Sequence, residues 1–199
     1  GGGWAFQGET YGYASGGWPG ASTVIDRFSF DSGSEDAATV GDLLAGRTNA
    51  SGLSSELYGY TAGGRGTSWP TLNKNIDKFS FASGTEDGSD SGDLTTETNM
   101  LAGTSSPLNC YMAGGSTGAD VASIQKFSAA SGGNSSAITG VLTSAKRDSI
   151  GVTHTTHGYT VGARRSYLDE IERFSYATEG DSADVGDLGT ARSTAAGQS

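Results

Sequence analysis

Tyr58-Gly-Tyr-Thr-Ala-Gly-Gly64 decides how this chain is read, because it has copies. Tyr11-Gly-Tyr-Ala-Ser-Gly-Gly17 precedes it, and weaker copies follow as Asn109-Cys-Tyr-Met-Ala-Gly-Gly115 and His157-Gly-Tyr-Thr-Val-Gly-Ala163. Downstream of each comes Ile-x-basic-Phe-Ser, at Ile25–Ser29, Ile76–Ser80, Ile124–Ser128 and Ile171–Ser175. A third marker is Gly-Asp-Leu at Gly41, Gly92 and Gly186, with Gly140-Val141-Leu142 as its variant. Nine residues beyond each of those leucines stands another glycine: Gly52, Gly103, Gly151 and Gly197. Four markers kept in order four times define an internal repeat, and a period of this length indicates stacked supersecondary units.

Each unit reads as four strands. The first runs from near Arg47 through Gly52, the second is the Tyr-x-x-Gly-Gly strand, the third is Ile-x-basic-Phe-Ser, and the fourth ends at Gly-Asp-Leu. In the third strand Ile and Phe lie three apart, so the pleat puts them on opposite faces. Both faces are then covered, as stacked sheets require. Phe28, Phe79, Phe127 and Phe174 are therefore expected to be buried between neighbouring sheets. The whole chain, 1–199, reads as a single domain with repeats at about 11–57, 58–108, 109–156 and 157–199.

The arrangement resembles the kelch repeat over essentially the whole chain. The Gly-Gly pair after an aromatic strand matches the kelch diglycine, and Ile25-Asp-Arg-Phe28 matches its hydrophobic, acidic, basic, aromatic run. Arg47, Lys146 and Arg192 stand where a basic residue precedes the innermost strand, although Thr98 departs there. The usual kelch tryptophan near the fourth strand is absent, and Gly-Asp-Leu takes its place. The resemblance implies an all-β fold: a β-propeller of four blades, each of four antiparallel strands. The innermost strands are crowded with Gly, Ala and Ser, which suits a narrow hub. Arg192 to Ser199 is expected to supply the first strand of the blade begun at Tyr11, closing the ring. Yet Gly1 to Gln7 align with Ser193 to Ser199, which suggests a longer array, and the Gly1 start suggests processing or a larger polypeptide.

Strand alternation sorts the loops onto two rims. On one lie Gly17-Trp18-Pro19-Gly20, Arg65-Gly-Thr-Ser-Trp69-Pro70 and Arg164-Arg165-Ser-Tyr167. Trp18, Trp69 and Tyr167 beside Arg65, Arg164 and Arg165 suit stacking on sugar rings and hydrogen-bonding to hydroxyls or carboxylates. Against that stands the reading in which the tryptophans fold over their own blades and cover an edge. The other rim carries Asp31–Asp36, Glu86–Asp90 and Glu179–Asp184, with Ser131–Ser136 in the third unit. Such carboxylates suit Ca²⁺ in number, but none has EF-hand spacing, and Asp, Ser and Gly also build solvated turns. Solvated turns are the reading preferred here, with no metal site and no cofactor.

His154 and His157 straddle a turn in one repeat only and read as exposed polar residues. The lone Cys110 excludes an intrachain disulfide and reads as a small buried residue on a strand. No P-loop, nucleophile elbow or dinucleotide fingerprint occurs in a strand–turn–helix setting, so no enzyme is expected. The formal charge of −10 argues against nucleic acid and anionic membrane as partners, and no apolar run is long enough to span a bilayer.

The Phe-Ser-Phe strand, acidic Ser/Gly loop and Gly-Asp-Leu also resemble kelch-like repeats of marine bacteriophage tail- and fibre-associated proteins. That resemblance implies a non-enzymatic structural and binding module of a virion surface or tail appendage. It would belong to an oligomeric assembly and contact other virion or surface-structure proteins. The alternative is an extracellular lectin-like or adhesion propeller that binds cell-surface glycan through the tryptophan rim. A hydrolase or lyase would need carboxylates converging at the hub.

Overall fold

The computed structural model describes residues 4–7 (backbone only), 10–31, 36–68, 70–82, 86–164 and 167–193. Among these residues there is no helix; sixteen strands form four antiparallel sheets of four. Sheet one holds β1 (Trp4–Gln7), β2 (Tyr11–Ser15), β3 (Val24–Ser29) and β4 (Ala38–Asp42). Sheet two holds β5 (Ser51–Ser54), β6 (Tyr58–Ala62), β7 (Asn75–Ser80) and β8 (Ser89–Asp93). Sheet three holds β9 (Ala102–Ser105), β10 (Asn109–Ala113), β11 (Ser123–Ser128) and β12 (Gly132–Val141). Sheet four holds β13 (Ile150–Thr153), β14 (His157–Ala163), β15 (Leu168–Ser175) and β16 (Ala183–Asp187). In every sheet the strands follow chain order, so each sheet is one meander, and it begins one strand ahead of the tyrosine or its counterpart from which the repeats 11–57, 58–108, 109–156 and 157–199 are counted.

The first strand of each unit begins later than the sequence suggests. Arg47 lies outside β5, in the connection from sheet one, where its side chain has another use. The segment from Gly132 to Ser136, read as a turn, is the start of the long strand β12, which pairs with β11 through two register shifts.

Sheets stack face to face through one recurring contact. Tyr13 of sheet one meets Phe79 of sheet two with ring centroids 5.4 Å apart. Tyr60 meets Phe127 at 5.0 Å, and Tyr111 meets Phe174 at 5.7 Å. Around them lie Ile25 and Leu43, Ile76 and Leu94, and Ile124 and Leu142, one apolar cluster per junction. Ile faces the following sheet and Phe the preceding one, as the three-residue spacing requires. Phe79 and Phe174 each lie over the glycine opposite in their own sheet, so that a Cβ at Gly59 would sit 2.2 Å from Phe79 Cζ, whereas Cys110 takes that place opposite Phe127. Burying each ring contributes on the order of 1.5–3 kcal/mol.

Phe28 departs from the expectation of burial. It is 38% exposed, whereas Phe79, Phe127 and Phe174 are 1–3% exposed. The reason is positional: no described sheet precedes sheet one, so no tyrosine covers this ring.

The first strands line up side by side, β1 on β5, β5 on β9 and β9 on β13. Their glycines permit this approach, since a Cβ at Gly151 would lie 1.9 Å from the carbonyl oxygen of Gly103. Ser54 N–H donates to Ser105 Oγ (3.3 Å) and Ser105 N–H to Thr153 Oγ1 (3.0 Å), tying the strand ends together. Among the described residues no comparable packing joins β13 to β1. The closure expected of Arg192 to Ser199 is corrected here, because β1 occupies the first-strand position beside β2. Residues 194–199 lie outside the described residues.

Candidate functional site

The aromatic rim is built from the loops between second and third strands, and each loop is anchored at its base. In sheet one Gly16 N–H donates to Val24 O and Gly17 N–H to Arg47 O, both at 2.9 Å. In sheet two Arg65 and Thr48 exchange backbone hydrogen bonds of 2.7 and 2.8 Å. In sheet three Ser116 pairs with Asn99, and Arg147 forms a 2.6 Å ion pair with Asp120. In sheet four Arg164 N–H donates to Arg147 O (2.9 Å), while its guanidinium lies 3.5 Å from Asp148. Every loop is thus fastened to the connection entering or leaving its sheet. Tips that vary on fixed bases are where a scaffold carries recognition.

Trp18 stands at such a tip and is 80% exposed. It does not fold over its own sheet, so the edge-covering reading is wrong for this residue. Tyr167 is 65% exposed and holds a positive φ of 50°. Arg65 and Arg164 are placed at loop bases, Arg65 by its backbone pairing and Arg164 by Asp148. Trp69 and Arg165 lie outside the described residues. Trp18, Tyr167, Arg65 and Arg164 occupy three separate loops of the rim. Arg147 and Asp120 were missed in the sequence because they recur in no other repeat.

The acidic loops are not merely solvated turns. Glu86 is fully buried and pairs with Arg27 of the preceding sheet at 2.8 Å. Glu179 pairs with Lys126 and accepts a hydrogen bond from Tyr111 Oη, 3.1 Å away. Asp87 accepts from Asp42 N–H, and Asp181 from Val141 N–H, both at 3.1 Å. In the third unit Asn134 accepts from Asp93 N–H at 2.9 Å. These side chains staple each loop to the sheet before it. Among the described residues no three His, Cys, Asp or Glu side chains group so as to hold a metal ion.

The basic residue after Gly-Asp-Leu makes a second staple. Arg47 pairs with Asp77 at 2.8 Å, both side chains being at most 1% exposed. Lys146 pairs with Glu170 and Glu172. Burial drives the Glu172 carboxyl upward, but hydrogen bonds from Lys146, Ser182 and Thr143 outweigh it and hold it below the ordinary carboxylate value. At Asp77 burial prevails over Arg47, and the carboxyl is raised. Where Thr98 replaces the cation, Gln125 replaces the acid and accepts from Thr95 Oγ1 at 2.9 Å. Both members of the pair change together because a lone buried charge is costly.

A cavity of about 590 Å³ opens on the opposite rim, where the turns after β5, β9 and β13 converge. Ser54, Ser55, Ser105, Ser106, Thr153 and His154 are among its walls. The Ser-Ser or Thr-His pair at the end of β5, β9 and β13 was its signal in the sequence. Ser55 and Ser106 Oγ donate to carbonyls of their own turns, and His154 Nδ1 lies 3.0 Å from Thr156 Oγ1. These groups build turns rather than a nucleophile–base pair. His154 is exposed as expected, whereas His157 is half-buried, its Nδ1 2.7 Å from Thr156 Oγ1.

The sequence matches no protein-family model and no curated protein.

Proposed function

We propose that this chain is a non-enzymatic structural and binding module whose four sheets are consecutive blades of a kelch-like propeller. Series packing of the first strands and face-to-face stacking of the sheets support the radial arrangement.

The observation that carries the binding reading is Trp18, held 80% exposed on a loop whose base is fixed by backbone hydrogen bonds. A large ring with few rotatable bonds, presented on a rigid base, loses little entropy on contact. The module belongs to a virion surface or tail appendage and contacts other surface-structure proteins there. Mass spectrometry of gradient-purified virus particles from the source tests this; recovery of the chain with particle proteins supports it, and absence from them opposes it.

A second reading, an extracellular propeller that binds glycan, is favoured by the same rim because Trp and Tyr stack on sugar rings. A glycan array probed with the purified chain separates the two.

A further inference from the structure

We infer that the two end sheets carry complementary halves of one interface, and that a second copy of this chain docks head to tail on them. The three internal junctions supply the template. In each, a Tyr–Ile–Leu face receives Phe of the next sheet. In each, the basic residue on the third strand of the receiving sheet reaches the segment that follows the next sheet's third strand: Arg27 to Glu86, Lys78 to Ser131 O, Lys126 to Glu179. Two junctions add a basic residue from the connection to an acid of the next sheet, Arg47 to Asp77 and Lys146 to Glu172.

Sheet four repeats the receiving half with no described residue seated on it. Tyr159, Ile171 and Leu188 are half-buried, where their counterparts in the other sheets are covered. Arg173, the counterpart of Arg27, is exposed and has no ion pair among the described residues. Arg192 is exposed yet already set like Arg47: its Nε donates to Thr190 O at 3.2 Å, as Arg47 Nε donates to Ala45 O at 3.3 Å. Its fork meets no acid among the described residues.

Sheet one repeats the inserting half. Phe28 and Phe30 are exposed and meet edge to face at 5.8 Å, as Phe79 and Phe81 do, but only the latter pair also packs on a tyrosine, Tyr13. Asp26, the counterpart of Asp77, has Thr39 as its hydrogen-bond partner rather than a cation. Asp36, the counterpart of Asp87, is exposed. What one end lacks, the other end offers, in ring, charge and position. Such a contact is heterologous, so it joins copies in series and ends only if the rotation closes.

Analytical ultracentrifugation of the chain over a wide concentration range tests this. Wild type is expected to self-associate reversibly, and Phe28→Asp and Arg173→Glu each to weaken association by about tenfold or more. The two variants mixed form a one-to-one dimer and nothing longer, because each keeps the face the other has lost. Arg173→Glu alters an exposed side chain, and circular dichroism with thermal melts verifies that both variants fold. A wild type that stays monomeric at all concentrations overturns the proposal, as does a mixture no better associated than either variant alone.

Discussion

Arg47 leaves the connection after sheet one and places Nη2 2.8 Å from Asp77 Oδ1 on β7, deep in sheet two. The same guanidinium donates to the carbonyl oxygen of Asn75 at 3.0 Å. One side chain therefore fixes the path between repeats and neutralises a buried carboxylate. Removing it strands that acid: Arg47→Met is expected to cost about 3–5 kcal/mol. Arg47→Met with Asp77→Leu should recover most of the loss, as read from urea unfolding midpoints.

The stacked rings make a graded prediction. Phe79→Ala, Phe127→Ala and Phe174→Ala should each cost about 3–5 kcal/mol, as large-to-small changes in packed cores do. Phe28→Ala should cost less than any of them at low protein concentration, because its outer face meets solvent. Equal losses at all four positions would mean that Phe28 is covered in solution.

Glu172 gives a pH dependence of definite sign. Its carboxyl lies below the ordinary glutamate value in the folded chain, so the ionised form favours folding. That contribution is present above the unfolded value and is lost as the pH falls through the folded one. The stability gap between wild type and Glu172→Gln should therefore be widest at neutral pH and narrow on acidification through and below the ordinary carboxylate range. Urea midpoints from neutral to acidic pH read it directly, and a gap that widens in acid would contradict the assignment.

Cys110 is expected to be inert. It is fully buried beside Phe127, and burial pushes its thiol up to about 12. The thiolate is the reactive form, so a disulfide reagent at neutral pH should label the chain only on unfolding. Prompt labelling of the native chain would show that this junction opens.

The repeat made the sheets legible: among the described residues each marker fell on or beside the strand assigned to it, and the Ile–Phe spacing sorted the two faces. Arg47, Lys146 and Arg192 were visible as a recurring basic position. Their partners were not, because Asp77 and Glu172 lie about thirty residues away and are joined to them only by stacking. The acidic loops misled for a related reason. Asp, Glu, Ser and Gly signal a turn locally, whereas the buried pairing of Glu86 with Arg27 depends on a contact between sheets. Phe28 misled because a repeat marker carries no sign of standing at an end. Trp18 was legible as a loop aromatic, while its exposure depended on how the loop base is tied.

The aromatic rim is the centre of the functional account, and one comparison tests it most directly. It is a binding titration against a partner or glycan identified by screening. Trp18→Ala should weaken binding by roughly 2 kcal/mol or more, the loss expected of a hot-spot ring. Asp36→Asn, Asp87→Asn and Asp184→Asn combined should leave binding nearly intact, since Asn keeps the acceptor that Asp87 offers to Asp42 N–H. Loss of binding in the acidic set with Trp18→Ala unaffected would place the contact on the opposite rim and contradict the account.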